Sequence, residues 1–150
     1  MKKRLILLLS VLLLVPSIVF AAKDIVIEIN GKAIKSEQPA IIDNGRTLVP
    51  IRFISKALNY EVEWDDDDRE VEIENDDAKK GEVEKVTLKI GEKRAKIEIE
   101  DGEDRYIDLE VAPAIRNDRT YVPLRFVSET FGHNVDWNND TRTVIINTVK

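Results

Sequence analysis

The chain has 150 residues, with 23 Lys plus Arg against 29 Asp plus Glu and a formal net charge of −6. An acidic balance of this kind repels nucleic acid and anionic lipid, so neither is expected as a partner. The sequence holds no cysteine, which excludes a disulfide framework and lipid attachment through an N-terminal cysteine, and the fold must rest on its apolar core alone.

In chain order, Lys2, Lys3 and Arg4 precede an apolar run from Leu5 to Val15, broken only by Ser10. Pro16 and Ser17 follow, then Val19, Phe20 and Ala21. Basic region, apolar core and small-residue exit together predict a secretory signal peptide over residues 1–21, cleaved after Ala21. The alternative is an uncleaved anchor, but Pro16 and Ser17 fall inside a stretch that only just reaches the ~17 apolar residues of a short span. Cleavage leaves 20 basic against 29 acidic side chains, a net charge of −9. The predicted location is therefore secreted and extracellular, with no membrane contact once the signal is removed.

Ile25, Ile27 and Ile29 alternate with Val26 and Glu28, and Asn30-Gly31 then supplies a positive-φ turn. Pro50 opens a short helical stretch in which Ile51, Ile54 and Leu58 share one face. Phe53 and Ala57 widen that face, Arg52, Ser55 and Lys56 point away, and Asn59 suits the left-handed stop. A hairpin follows, with Val62 and Trp64 on one strand, Asp65 to Asp68 in the turn, and Val71 and Ile73 returning. Residues 75–84 are charged, contain Gly81 and read as a linker or exposed loop. Beyond it, Val86, Leu88 and Ile90, then Ile97 and Ile99, then Ile107, Leu109 and Val111 alternate with polar residues, punctuated by Gly91 and Asp101-Gly102. A second helix opens at Pro123, carries Leu124, Val127 and Phe131 on one face, and stops at Gly132. Val135 and Trp137 lead into the last hairpin, and Val144 and Ile146 return from it.

The chain is self-similar. RTLVPIRFISKALNYEVEWDDDDREVEI, from Arg46 to Ile73, aligns without a gap on RTYVPLRFVSETFGHNVDWNNDTRTVII, from Arg119 to Ile146. Pro50, Phe53 and Trp64 answer Pro123, Phe126 and Trp137, while Arg52 and Arg69 answer Arg125 and Arg142. Repetition at this length predicts two pseudo-equivalent units. One spans residues 23–74 and the other residues 85–148; they sit in tandem or pack together, and packing is the favoured arrangement because neither buries much surface alone. The expected class is α+β, with antiparallel β-hairpins packed on short helices.

The repeated block, NGRTLVPIRFISKAL followed by V-x-W, an acidic turn and R-x-V-x-I, resembles the copper amine oxidase N-terminal (stalk) domain family. The resemblance covers most of the chain beyond residue 22. It is specific in the block of both copies and looser upstream, where the first copy lacks a counterpart to Arg105 through Val111. It implies a non-catalytic module of secreted and cell-wall proteins, common in Gram-positive bacteria. It also implies no oxidase chemistry here, because the copper site of those enzymes needs several histidines and this chain has one, His133.

Candidate sites are few. Asp136, Asn138 and Asp140 open like a calcium loop, but Thr141 stands where glycine belongs and Asn147 where a bidentate Glu belongs, so these residues and Asp65 to Asp68 are read as turn formers. No catalytic residues, metal ligands or cofactor are assigned. Ser55 and Ser128 recur without a recurring histidine, and the abundant carboxylates read as solvated strand faces. Pro50, Phe53, Trp64, Pro123, Phe126 and Trp137 are assigned to the scaffold. Arg52, Arg125, Arg69 and Arg142 read first as partners of turn aspartates such as Asp67 and Asp140. Their alternative role is a pair of basic pockets for an anionic wall polymer. Tyr60, Tyr106 and Tyr121 are the expected exposed stacking residues, with Tyr60 and Tyr121 assigned to the ligand site. The expected function is binding or spacing, without turnover, toward cell-wall polysaccharide or another secreted protein. The alternatives are a calcium-dependent scaffold, a homodimer through open edge strands, and a small carboxylate-dependent hydrolase.

Overall fold

The computed structural model describes residues 24–149, and the signal peptide expected over residues 1–21 lies outside them. Among the described residues no helix is long and apolar enough to cross a membrane. The described residues form a β-rich fold with two short helices and three sheets.

The first half opens with β1 (Val26–Ile29) and β2 (Lys32–Ile34), joined at Asn30 and Gly31, whose φ values of 50° and 79° match the expected turn. β3 (Ile41–Asp43) and β4 (Arg46–Pro50) form a second hairpin and lead straight into α1 (Ile51–Leu58). β5 (Glu61–Asp65) and β6 (Glu70–Glu74) close this half. The second half runs through β7 (Val83–Lys89), β8 (Arg94–Ile99) and β9 (Arg105–Asp108). It continues with β10 (Ala114–Arg116), β11 (Arg119–Pro123), α2 (Leu124–Thr130), β12 (Asn134–Asn138) and β13 (Thr143–Asn147).

Every sheet takes strands from both halves. The orders are β12-β13-β1-β2, β10-β11-β4-β3 and β5-β6-β7-β8-β9. β1 and β13 run parallel, with Ile27 opposite Val144 and Ile29 opposite Ile146, whereas the other paired strands described are antiparallel. In the middle sheet Val122 faces Val49 directly, with Tyr121 opposite Pro50 and Pro123 opposite Leu48.

The charged stretch expected as a linker or exposed loop, residues 75–84, is the largely exposed loop end of an antiparallel hairpin. β6 and β7 pair along their length, and β7 already begins at Val83. Asn75 N–H donates to the Glu84 carbonyl and Gly81 N–H to the Glu100 carbonyl, both at 2.8 Å. Charge marked this segment as exposed, and two hydrogen-bonded strands on either side of it fix it as a turn.

Pro50 and Pro123 sit one residue earlier than expected, at the N-caps of α1 and α2, with φ of −58° and −67°. One φ serves both the last strand residue and the approach to the helix, so the ring bridges the two without losing a helical hydrogen bond. Asn59 takes the left-handed C-cap (φ 60°) and Gly132 the equivalent positive φ (88°). At eight and seven residues the helices are too short to persist unaided. They are held by packing on β4 and β11 and by their buried faces of Ile54 and Leu58, and of Leu124 and Val127.

One principal core cluster joins the halves, drawing Val49, Ile54, Val71 and Ile73 together with Val86, Val122, Leu124 and Ile146. A smaller cluster of Leu48, Val111 and Tyr121 covers the other face of the middle sheet. All the buried apolar residues lie between Ile27 and Ile146, so residues 22–150 contain the whole described core.

Candidate functional site

Two grooves flank the helices. The larger, about 770 Å³, lies beside α2 and takes Pro123, Arg125, Phe126 and Glu129 from it and its cap, Trp137 from β12, and Arg46 from the other half. The smaller, about 460 Å³, lies beside α1 and takes Arg52, Phe53 and Lys56 from it, Trp64 from β5, and Arg119 from the other half. Each groove therefore exists only because strands β4 and β11 carry residues of one half across to the helix of the other.

The expected site residues are distributed as follows. Arg52 and Phe53 lie in the α1 groove, and Arg125, Phe126 and Arg142 in the α2 groove. Arg125 does bridge helix to hairpin, but its partners are the Val135 carbonyl at 2.8 Å and Glu129 at 3.3 Å, not Asp140. Among the described residues Arg52, Arg69 and Arg142 enter no ion pair, so the expected bridges to Asp67 and Asp140 do not form. The turn acids are occupied otherwise. Asp65 Oδ1 accepts the N–H groups of Asp67 and Asp68, and Asn138 Oδ1 those of Asp140 and Thr141, as Asx turns do.

Arg69 and Arg142 act through their backbones. Both take left-handed φ, 57° and 52°, at the ends of the two closing turns. Their carbonyls accept hydrogen bonds at 3.0 Å from Ile90 N–H and Val26 N–H, each reaching across to the neighbouring hairpin. A side chain in this conformation costs about 1 kcal/mol or more. Replacing exposed Arg69 with glycine is thus expected to raise the stability by roughly 0.5 kcal/mol, once glycine's larger unfolded-state entropy is subtracted. Urea unfolding checks this, and a loss of 1 kcal/mol or more would show that the guanidinium holds the fold after all.

Tyr60 and Tyr121 correct the expectation of exposed stacking, since both are buried, at 8% and 5% exposure. Tyr60 follows the left-handed Asn59, which turns the chain back under the helix. Its ring stacks on Phe131, with centroids 4.2 Å apart, and its hydroxyl lies 2.6 Å from His133 Nε2. Tyr121 Oη donates to the Pro39 carbonyl at 3.1 Å. Tyr106, the third tyrosine expected to be exposed, is so, with the Arg94 guanidinium 4.7 Å from its ring centre. The expected core role of the tryptophans needs a second correction. Trp137 is 36% exposed and Trp64 is only partly buried against the main cluster. Both lie on edge strands near a hairpin tip, where the alternation points inward but little lies above to cover the ring.

His133 is the sole histidine and is buried. Val149 N–H donates to its Nδ1 at 3.3 Å, so the proton resides on Nε2 and is donated to Tyr60 Oη. Burial holds the imidazole pKa below its ordinary value and pushes the Tyr60 phenol up to about 12. As pH falls, the unfolded chain binds the proton first, near pH ~6.5. The stabilisation is therefore complete above that pH and is lost as pH drops through the folded pKa. In His133→Gln the decline in melting temperature between about pH 7 and pH 5 should be shallower than in the wild type. An unchanged slope would remove His133 as its source.

No nucleophile is assembled around these groups. Ser128 Oγ is buried without a hydrogen-bond partner, and both ring nitrogens of His133 are engaged elsewhere. Among the described residues no three His, Asp or Glu side chains gather as metal ligands. The single, doubly engaged histidine does not fit a copper centre.

A β-rich module with two open grooves between helix and sheet is thus the class that fold and site define. The chain belongs to the copper amine oxidase N-terminal domain family, whose sequence pattern matches residues 28–146. That domain is the non-catalytic part of the family. The chain is also similar to a protein of Brevibacillus choshinensis named protease inhibitor, 33% identical over 132 residues, covering 82% of this chain and 34% of that protein. It spans about a third of the length of this curated relative. No solved structure matches the chain.

Proposed function

We propose that the chain is an exported, non-catalytic binding module of the cell wall or cell surface, built from two equivalent units. Support for equivalence comes from the sequence offset and from the grooves. Arg52, Phe53 and Trp64 line one, and Arg125, Phe126 and Trp137 line the other. Support for binding rests on one observation above the rest. Arginine and partly exposed aromatic side chains of both halves converge on open grooves, while the nucleophile and histidine are tied up in packing. Export rests on the pattern of residues 1–21.

Sedimentation of residues 22–150 with purified cell walls tests this reading. The protein should pellet at physiological salt, and its staying in the supernatant would remove the wall-binding version. A second reading follows from the name of the Brevibacillus relative, namely that the module seats against a secreted protein, a protease among them. Unchanged turnover of secreted proteases with the chain in large molar excess would dismiss it.

A further inference from the structure

The two grooves have the same plan and opposite charge. In the α1 groove Lys35, Arg52, Lys56 and Arg119 face only Glu37 and Asp118, four bases to two acids. In the α2 groove three arginines meet Asp108, Glu110, Glu129 and Asp136. The position of Lys56 is taken there by Glu129, and Arg46 is closed by a two-pronged bond to Glu110, with Nη2 to Oε1 at 2.6 Å. Neither Arg52 nor Arg119 enters an ion pair among the described residues. In a chain of net charge −6 this is a local reversal of sign, and such a reversal attracts an anion against the general field.

The groove already contains a carboxylate. Glu37, on the irregular segment that follows β2, pairs with Lys56, and Arg52 and Arg119 are near enough to help hold its pKa below the usual carboxylate value. Both partners of the Glu37–Lys56 pair are well exposed, at 63% and 66%. An exposed pair of this kind is worth little, on the order of 0–1 kcal/mol, and is readily exchanged. The partly exposed Trp64 supplies apolar, planar surface beside the cations. Guanidinium forks bind carboxylates in a plane, and an indole face suits the flat side of a pyranose.

We propose that the α1 groove binds the carboxylate-bearing sugars of an acidic polysaccharide, with Glu37 as the built-in competitor. The sugar carboxylate takes Arg52 and Arg119 and displaces Glu37 from Lys56, while the ring lies against Trp64. This rests on the wall-binding reading and names the site and ligand chemistry for it.

The test is calorimetric titration of residues 22–150 with polygalacturonate, with neutral dextran and polyglutamate as parallel arms. Polygalacturonate should bind and dextran should not. Arg52→Ala with Arg119→Ala should weaken binding about tenfold or more, and Glu37→Gln should strengthen it. Arg116→Ala, on an exposed arginine outside both grooves, should leave it unchanged. Circular dichroism of each variant verifies that it is folded. No binding of polygalacturonate, or binding indifferent to the double substitution in folded protein, overturns the proposal. Equal affinity for polyglutamate, lost on the same substitutions, overturns the sugar assignment in favour of an acidic peptide. The wall assay separates the two readings. Wild type that pellets, with a double variant that pellets equally, sinks the groove alone. Wild type that fails to pellet sinks the wall reading, and the polygalacturonate result then judges the groove by itself.

Discussion

Replacing Val122 with aspartate is expected to unfold the whole chain. Val122 has no exposed surface, faces Val49 across the β4–β11 pair, and belongs to the core cluster that spans both halves. The substitution removes the burial of a valine side chain, about 1.5–3 kcal/mol. It also places a carboxylate where no cation lies opposite, a penalty of several kcal/mol more even after partial relaxation. Together these approach or exceed the 5–15 kcal/mol that typically holds a domain folded. Because the middle sheet is shared, the loss should not stop at one half. Strand circular dichroism should be lost, and the emission of both tryptophans should shift to that of solvated indole in the same transition. Ile42→Asp, on exposed β3 of the same sheet, should cost under about 1 kcal/mol. A Val122→Asp protein that keeps half its strand signal would mean that the halves fold separately.

The second large effect is the failure of either half to fold alone. A cut in the loop after β6 divides residues 22–150 into 22–82 and 83–150. The first fragment loses β13 beside β1, β11 beside β4 and β7 beside β6. Three of its strands become open edges, and its helix loses contacts with β11. Fragments of this size bury too little surface to offset the ordering of the chain without such partners. Each fragment alone should show little secondary structure and no cooperative thermal transition. Mixing them should restore both, since no covalent bond crosses the cut except the loop itself. A fragment that melts cooperatively on its own would refute the interlocked topology.

Local structure was largely legible in the sequence, because local chemistry decides it. Asn30-Gly31 specified its turn, Asn59 and Gly132 their helix ends, and the alternation of Val86, Leu88 and Ile97 a one-sided sheet. Neighbour choice was not legible. Alternation tells which face of a strand is buried but not which strand lies beside it, so the parallel pairing of β1 with β13 and the hairpin role of residues 75–84 emerge only in three dimensions. β6 and β7 pair simply because a short loop joins them, whereas β1 and β13 are brought together by closure of the core. The aromatic residues were misplaced for the same reason. Tyr60 lies one residue before β5, in phase with Val62 and Trp64, and its burial is completed by Phe131 and His133 from the other half, which no local pattern shows. Trp137 is in phase with buried Val135 yet lies where the sheet ends. The arginine pairs were legible as special positions. Which of them hold a turn by their backbone and which line a groove follows from φ and from the cross-half approach of Arg46 and Arg119.

Interlocked halves underlie both the stability and the grooves, and native-state amide exchange measures that interlock most directly. The account predicts that the Asn30 amide, bonded to the Ile146 carbonyl at 2.9 Å, exchanges with the same opening free energy as the central amides of β4, β6, β7 and β11, equal to that of global unfolding. If the amides of β1 to β6 open at clearly lower free energy while those of β7 to β13 stay protected, or the reverse, the halves are separable bodies and the shared grooves are not fixed features of the molecule.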